Sequence, residues 1–428
     1  MGSEMCIRDR RYCGSLELIP FPRLTMKSLK FVRLIIGYFR FTARIVQVLL
    51  ILTPAQGWGL EDKIVFVSKR NFTPEVFLVE GLNGRPIQLT QNMFAGWPSI
   101  SPDGTEVVFV SSPPGGISNI FKLRIAMRKI EKLTDDAEDT RYTDLDWSPD
   151  GRQILFIKAL RILDSGPEKT DLYVMDMKTR HIRHILQPQR PTSIFHPSWS
   201  PDSQHILYLH LRKSQKDSEP HTLTLFITDD NGNNVVEVTR ESFGIVPEWL
   251  SPIAVPTWSP SRSQIAYVDF VATNPPPNPF QIYSMNLNDG LVTALTSDGA
   301  ENRFPAAWHP DGRKILFWIS SALHQKAQLA DIYVMDPDGK NMINLTQSPE
   351  REVTASWAPD GQRIAFGRWL NERDAAIFVM DANGQNQQRL TFEPGINVAP
   401  NWSPDGDKIV FLSDRDGALR IYIMDTNG

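Results

Sequence analysis

The pentapeptide WSPDG stands at residues 147–151 and again at residues 402–406. Close variants that keep the central proline are WSPDS at 199–203, WSPSR at 258–262, WHPDG at 308–312, WAPDG at 357–361 and ISPDG at 100–104. The prolines of successive copies lie 45 to 59 residues apart. Because proline cannot donate to a strand ladder, and Asp and Gly favour turns, each copy predicts a strand that ends in a tight turn.

A run of mostly apolar residues follows every copy of the pentapeptide. The runs are EVVFV at 106–110, QILFI at 153–157, HILYL at 205–209, QIAYV at 264–268, KILFW at 314–318, RIAFG at 363–367 and KIVFL at 408–412. A further run, KIVFV at 63–67, has no such pentapeptide before it. The apolar residues are consecutive rather than alternate, which predicts strands that are buried on both faces.

Two more elements complete the repeat. Segments like IYVMD occur at 172–176, 225–229, 282–286, 332–336, 377–381 and 421–425. Pairs such as Asp338-Gly339 and Asn383-Gly384 follow them and supply the positive φ angles of hairpin turns. Short segments that end in Leu-Thr come last, at 87–90, 131–134, 293–296, 343–346 and 388–391.

Four strands per repeat, labelled A to D with the pentapeptide closing strand A, predict an all-β fold: a β-propeller of four-stranded blades. The B and C segments outnumber the A and D segments by one. We therefore expect about eight blades, the first without strand A and the last without strand D, with seven blades as the alternative. The sequence stops at Asp425-Thr426-Asn427-Gly428, within a hairpin turn, which predicts that the propeller is truncated at its C-terminus.

The first 57 residues do not follow the repeat. Residues 1–25 include SEMCIRDR, which resembles a translated sequencing adaptor, so we expect a non-native or disordered leader. Residues 26–57 have the order of a secretory signal peptide: basic residues, an apolar run over 45–52, then the small residues Ala55 and Gly57. An uncleaved membrane anchor is the alternative, although the apolar run is short for a spanning helix. Cleavage would leave residues 58–428 as a periplasmic or secreted propeller without membrane insertion.

Composition argues against several classes of function. The net charge is −4 and Lys and Arg form no cluster, so we expect no nucleic-acid partner. Both cysteines, Cys6 and Cys13, precede Met26, which excludes a thiol nucleophile, a zinc–cysteine site and a disulfide framework from the propeller. We expect no cofactor and no metal, and we expect a monomer.

The ordered combination of WSPDG, IYVMD with an Asx-Gly turn, and a closing Leu-Thr resembles the TolB-like β-propeller family over about residues 62–428. The resemblance implies an extracytoplasmic propeller that binds other proteins, and it brings no catalytic residue with it. TolB itself carries an α/β domain before its propeller. This chain lacks that domain, which weakens any transfer of the TolB role in the Tol–Pal system of the cell envelope.

Enzymatic readings have less support in the sequence. A prolyl oligopeptidase-like peptidase needs a G-x-S-x-G nucleophile motif, which this sequence does not contain. A metal-dependent, lactonase-like propeller has no local signature, and DPDGKN at 336–341 does not have the spacing of an EF-hand. We therefore expect a protein-binding or scaffold module and not an enzyme. The alternative is the propeller of a larger enzyme, such as a prolyl oligopeptidase-like peptidase whose catalytic domain is missing.

Strand direction predicts where a partner docks. Because strands within a blade alternate in direction, the A–B and C–D turns share one face, and the B–C loops and D–A connectors share the other. The first face has stereotyped turns, whereas the second has all the irregular sequence. The residues predicted to form a protein-binding or peptide-binding surface on this second face, near the channel, are Arg141, Phe243, Trp249, Arg303, Arg351, Glu352 and Trp369.

Overall fold

The computed structural model of this 428-residue chain describes residues 63–70, 73–80, 86–114, 117–136, 140–160, 169–186, 192–212, 222–238, 256–261, 263–270, 280–296, 302–320, 330–403, 405–417 and 420–428. All regular elements within these ranges are β-strands, which confirms the all-β prediction. None of the described residues forms an apolar helix long enough to cross a membrane. The predicted leader and signal peptide lie outside the described residues.

Antiparallel strands follow one another in chain order within each sheet. The first sheet contains β1 (Lys63–Arg70), β2 (Thr73–Glu80) and β3 (Ile87–Gln88). Blade 1 contains β4 (Ala95–Ile100), β5 (Glu106–Ser111), β6 (Asn119–Arg124) and β7 (Lys129–Lys132). Blade 2 contains β8 (Thr140–Trp147), β9 (Gln153–Leu160), β10 (Lys169–Asp176) and β11 (Ile182–Leu186). Blade 3 contains β12 (Thr192–Trp199), β13 (His205–Arg212), β14 (Thr222–Asp229) and β15 (Val236–Glu237).

The second half of the chain repeats the same arrangement. Blade 4 contains β16 (Thr257–Trp258), β17 (Gln264–Phe270), β18 (Phe280–Asn286) and β19 (Val292–Ala294). Blade 5 contains β20 (Asn302–Trp308), β21 (Ile315–Ser320), β22 (Ala330–Met335) and β23 (Ile343–Asn344). Blade 6 contains β24 (Arg351–Trp357), β25 (Arg363–Trp369), β26 (Ala375–Asp381) and β27 (Gln388–Arg389). The last sheet contains β28 (Asn397–Trp402), β29 (Lys408–Ser413) and β30 (Arg420–Asp425).

The blade count differs from the prediction. The described residues form six four-stranded blades, rather than about eight or the alternative seven. The prediction counted as blades the two terminal units, which have three strands each: the first lacks strand A and the last lacks strand D. Blades 5 and 6 belong to one hydrogen-bonded sheet because a single parallel bridge joins Ala330 to Arg351.

The consecutive apolar residues of the B strands are explained by packing between neighbouring blades. In β9, Ile154 and Phe156 pack in a cluster with blade 1. The intervening Leu155 and Ile157 pack in a cluster with blade 3. Successive side chains of a strand point to opposite faces, so all four of these residues meet another blade. A polar residue at any of these positions would be buried, which explains why the apolar run is uninterrupted.

The Leu-Thr that ends five of the repeats extends the pairing of strand C by hydrogen bonding. The threonine hydroxyl accepts a backbone N–H from strand C, in pairs Val76–Thr90, Ile120–Thr134, Ile282–Thr296, Ile332–Thr346 and Ile377–Thr391. The leucine N–H continues the ladder, as where Leu345 donates to the carbonyl of Ile332. The threonine therefore takes over pairing with strand C where the short D strand ends.

The tryptophan of WSPDG hydrogen-bonds one blade to the blade before it. The Nε1 of Trp147 donates to the carbonyl of Ser99 at 3.2 Å, and the Nε1 of Trp402 donates to that of Ser356 at the same distance. Since Ser99 and Ser356 lie in the A strands of the preceding blades, these bonds hold neighbouring A strands side by side. The A strands thus contact one another around the axis, whereas D strands such as β7 are exposed at the rim.

Candidate functional site

The candidate surface lies at the face where A strands begin and B strands end, which we call the connector face. The opposite face, with the A–B and C–D turns, is called the turn face. Strand registers pair Arg351 with Trp369 and Arg141 with Ala159, and they pair Arg303 with Ile319. The three predicted arginines therefore share the start of strand A on the connector face, as the sequence argument placed them.

Arg351 and Trp369 form an organised pair at this face of blade 6. The guanidinium carbon of Arg351 lies 4.4 Å from the centre of the Trp369 ring. Both side chains are partly buried, and both belong to paired strands rather than to loops. The stack therefore places a positive charge beside an aromatic ring at this face of blade 6.

Glu352 has a different environment, although it is the next residue of the same strand. Its side chain is fully buried, and its Oε1 accepts from the Nε of Arg368 at 2.7 Å and from the hydroxyl of Ser348 at 2.6 Å. Burial raises the pKa of Glu352, and the bonds from Ser348 and Arg368 oppose that rise. The sequence prediction placed Glu352 on the protein-binding surface, but side chains alternate along a strand and that of Glu352 is buried.

The remaining predicted residues do not join this cluster. Phe243 and Trp249 lie outside the described residues. The backbone of Arg303 is described but its side chain is not. Arg141 is exposed at the start of β8, in blade 2. Among the described side chains, the structure therefore brings together Arg351, Glu352 and Trp369.

Two exposed apolar residues on the connector-face connections of blade 6 were not predicted from the sequence. Leu370 begins the B–C loop of blade 6 and is 38% exposed. Phe392 lies in the connector from β27 to β28 and is 70% exposed, with the guanidinium of Arg389 at 5.1 Å from its ring centre. The available sequence signal was the Phe that directly follows the closing Leu-Thr of this repeat.

The two connections that carry these residues are hydrogen-bonded to each other. Within the B–C loop, the N–H of Leu370 donates to the carbonyl of Asp374 at 2.9 Å. The carboxylate of Asp374 accepts from the N–H of Gly395, in the connector, at 2.9 Å. The N–H of Ala375 donates back to the Gly395 carbonyl at 3.1 Å. The connections are therefore braced as one unit at the connector face.

A second shared feature of the A strands lies midway between the faces. A β-bulge interrupts the A–B ladder in blades 1, 2, 3, 5 and 6 and in the last sheet. Outside blade 5, the bulge places the residue three positions before the tryptophan site at a positive φ: Trp97, Asp144, His196, Thr354 and Ala399, with φ between 48° and 56°. Bulges re-aim side chains and are frequent near functional sites.

The bulges of neighbouring blades contact each other. The N–H of Ala399 donates to the hydroxyl of Thr354 at 3.1 Å. His196 Nδ1 lies 3.7 Å from a carboxylate oxygen of Asp144. The bulged residues of these neighbouring blades thus meet at one level along the inner strands, and this set of residues is called the bulge ring. Within the described residues, no three His, Cys, Asp or Glu side chains converge in the manner of a metal site.

Both the sequence and the fold of this chain are similar to those of known proteins. The family profile described as TolB beta propeller domain matches residues 208–368 and 368–428. The uncharacterized peptidase YuxL of Bacillus subtilis is 24% identical over 245 residues, which are 56% of this chain and only 31% of that protein.

Two solved structures share the fold. The dipeptidyl peptidase 4 of Porphyromonas gingivalis is 11% identical with a TM-score of 0.60, and the match covers 90% of this chain and 60% of that one. An oligogalacturonate lyase in complex with manganese is 15% identical with a TM-score of 0.54, covering 86% of this chain and 98% of that one. At these identities the likeness concerns fold, and function has to be argued from the sites.

Proposed function

Because the chain belongs to the TolB beta propeller domain family, we propose that it is a non-catalytic, extracytoplasmic binding module that takes a protein or peptide on the connector face of blade 6. The observation that carries this proposal is the Arg351–Trp369 stack, 4.4 Å from guanidinium carbon to ring centre, with the exposed apolar side chains of Leu370 and Phe392 on the adjoining connections. Arginine and aromatic residues dominate the binding energy of protein interfaces.

The rigidity of this surface favours recognition. A partner gains most when the residues it contacts are already ordered, because each immobilised side chain otherwise costs about 0.5–1.5 kcal/mol on binding. Arg351 and Trp369 are anchored in strands β24 and β25. Phe392 lies in a connector that is hydrogen-bonded to the B–C loop through Asp374 and Gly395.

The site is tested with peptides selected from a random library on the purified chain. Phe392→Ser should weaken most of the selected peptides at least tenfold, because it removes the most exposed aromatic ring of the surface. Met127→Ser is the matched control, since Met127 is 71% exposed but lies in the C–D turn of blade 1, on the turn face. Equal affinity of the wild type and Phe392→Ser for these peptides would contradict the proposal.

The proposed extracytoplasmic location rests on the signal-like segment over residues 26–57 together with the family resemblance. Expression with the native leader, followed by mass spectrometry of the mature protein, provides the test. A mature chain that begins at Trp58 supports export. A chain that keeps residues 26–57 and stays in the cytoplasmic fraction excludes it.

A second candidate function is the propeller of a larger hydrolase. It is favoured by the match to a peptidase relative of which this chain covers 31%, and by the likeness to a peptidase of which it covers 60%. Sequencing the gene past codon 428 distinguishes the two candidates. A downstream domain with a G-x-S-x-G motif would favour the hydrolase, and the peptide selection would then report a substrate-guiding surface.

A further inference from the structure

Blade 1 departs from the other repeats at a buried position of strand C. Lys122 lies in the middle of β6, and its side chain is only 6% exposed. Five other units have a buried aliphatic residue at the position that pairs with the same residue of strand B: Leu78, Val174, Ile227, Val334 and Val379. A buried ion pair adds little stability over an apolar side chain of similar size, so packing does not explain a lysine here.

Cross-strand pairing surrounds Lys122 with further charges. Register pairs Arg124 with Glu106 on one side and with Lys129 on the other. The adjacent row pairs Lys122 with Glu131. Because paired residues and positions i and i+2 share a face of a sheet, all five side chains lie on the face that packs on blade 2. No run of Lys and Arg marks this cluster in the sequence, since strand pairing rather than adjacency brings the cations together.

Two carboxylates of the cluster are shared among three cations. The Oε1 of Glu106 lies 3.0 Å from the Nζ of Lys122 and 3.1 Å from the Nε of Arg124. The Oε1 of Glu131 accepts from the Nη2 of Arg180, in the C–D turn of blade 2, at 2.7 Å. The other carboxylate oxygen of Glu131 lies 3.9 Å from the Nζ of Lys122.

The cluster also has donors that the described residues do not use. The Nη1 of Arg180 is buried, and no described residue accepts a hydrogen bond from it. Lys129 is exposed and forms no ion pair with a described residue. A buried donor without an acceptor is costly, so an acceptor oxygen from a ligand would be stabilising at this place.

A cavity of about 300 Å³ opens at this cluster. Its lining consists of Lys122, Arg124, Lys129, Ile130 and Glu131. Ligand pockets begin at about this size, with volumes of roughly 300–1,000 Å³. With Arg180 and Glu106 included, four cations surround two carboxylates, which leaves two positive charges without a partner charge.

We propose that this cavity at the rim of blade 1 binds a phosphomonoester group. Such a group carries about −1.5 to −2 charges near pH 7 and has three strong acceptor oxygens, which match the excess charge and the unused donors. Lys122, Arg124 and Lys129 supply donors from the lining, and Arg180 adds positive charge from blade 2. The inference is independent of the connector face, because none of these residues belongs to blade 6.

Other ligand classes fit this cavity less well. A carboxylate or a phosphodiester carries one negative charge and leaves the other excess charge unmatched. A cation would be repelled by the excess of positive charge. A neutral ligand would leave both excess charges as they are.

Calorimetric titration of the full chain tests the site. The probes are glycerol 3-phosphate, the carboxylate glycerate and neutral glycerol, which share a three-carbon skeleton. We expect glycerol 3-phosphate to bind with a Kd below about 1 mM. Glycerate and glycerol should bind at least tenfold more weakly.

Vesicles distinguish a soluble phosphomonoester from a lipid headgroup. A lipid source predicts that the chain sediments with phosphatidylcholine vesicles that contain phosphatidic acid, but not with phosphatidylcholine alone, and that glycerol 3-phosphate displaces it. A soluble source predicts binding of glycerol 3-phosphate without sedimentation. Absence of binding to both phosphomonoester probes would overturn the proposal.

Lys122→Val is the decisive variant, because Val174 and Val379 are buried at this position in blades 2 and 6. It should weaken glycerol 3-phosphate binding at least tenfold. Lys129→Gln changes an exposed side chain and should weaken binding at least threefold. Its control is Lys340→Gln, which removes the same charge from the C–D turn of blade 5 and should bind as the wild type does. The proposal is also overturned if glycerate binds as tightly as glycerol 3-phosphate, or if Lys129→Gln and Lys340→Gln bind alike.

Discussion

The two faces of the propeller are built differently. On the turn face, glycines of three C–D turns sit against a carbonyl of the preceding blade: Gly232 on Ile185, Gly339 on Leu295 and Gly384 on Leu345. On the connector face, by contrast, the B–C loop and connector of blade 6 are joined through Asp374 and Gly395, residues that are not part of the repeated motifs. Residues that recur from repeat to repeat therefore hold neighbouring blades together. The candidate surface for a partner contains residues that do not recur.

The largest expected effect is a loss of stability from a change on the connector side of blade 6. It would show that not every residue on that side serves binding. Arg368→Met leaves the buried carboxylate of Glu352 without its cation, and we expect a loss of about 3–5 kcal/mol in the free energy of unfolding. Denaturant titration measures it. The double variant Glu352→Met/Arg368→Met should recover most of the loss, and an unchanged midpoint in the single variant would contradict a stabilising role of the pair.

The next effect is the stability cost of a side chain at a glycine of the turn face. A Cβ at Gly339 would lie 2.4 Å from the carbonyl oxygen of Leu295, at a φ of +82°. Gly339→Ala should therefore cost about 2–4 kcal/mol, from strain and from displacement of the neighbouring blade. Gly290→Ala is the control: its φ is +70°, but the nearest atom is the end of Met285 at 4.0 Å. It should cost only the strain, about 1–2 kcal/mol. Equal losses of unfolding free energy in both variants would contradict a close contact between Gly339 and Leu295.

A smaller effect concerns the inner strands between the two faces. Burial raises the pKa of Asp146 to about 7 from 3.8, against the opposing backbone bonds from Trp199 and Trp147. The folded state therefore holds this proton more tightly than the unfolded state does. The stability it contributes is complete below about pH 4 and is lost as the pH rises through about 7.

Asp146→Asn isolates that contribution. We expect the variant to be more stable than the wild type at pH 8, by on the order of 1–3 kcal/mol, with the difference shrinking toward pH 4. Thermal unfolding of both proteins across this range measures it. A difference that does not change with pH would show that Asp146 titrates at an ordinary value.

The repeat made most of the fold predictable. The proline stands in all seven copies and the tryptophan and glycine in most of them, so their spacing located the strands, the turns and the start of each A strand, including Arg351. The blade count was overestimated, because incomplete units at the two ends give the same apolar B and C segments as complete blades. Glu352 was misplaced because its side chain alternates with that of Arg351, and sequence adjacency does not reveal which face is buried.

The remaining site residues lacked a repeating signal. Phe392 and Leu370 occur in connections whose lengths and residues vary between repeats. The bulge ring was not predicted because its positions hold residues as different as Trp97, Asp144 and Ala399, which share a backbone angle but no side-chain property. Backbone geometry of this kind follows from the contact between neighbouring blades rather than from local sequence.

Hydrogen–deuterium exchange with a library-selected peptide bound tests the central claim most directly. Backbone amides of the B–C loop at 370–374 and of the connector at 391–396 should exchange more slowly in the complex, because the peptide covers them. Amides of the C–D turn at 125–128, on the turn face, should be unaffected. Protection of the turn face with unchanged exchange at 370–374 and 391–396 would contradict the assignment of the connector face of blade 6 as the binding surface.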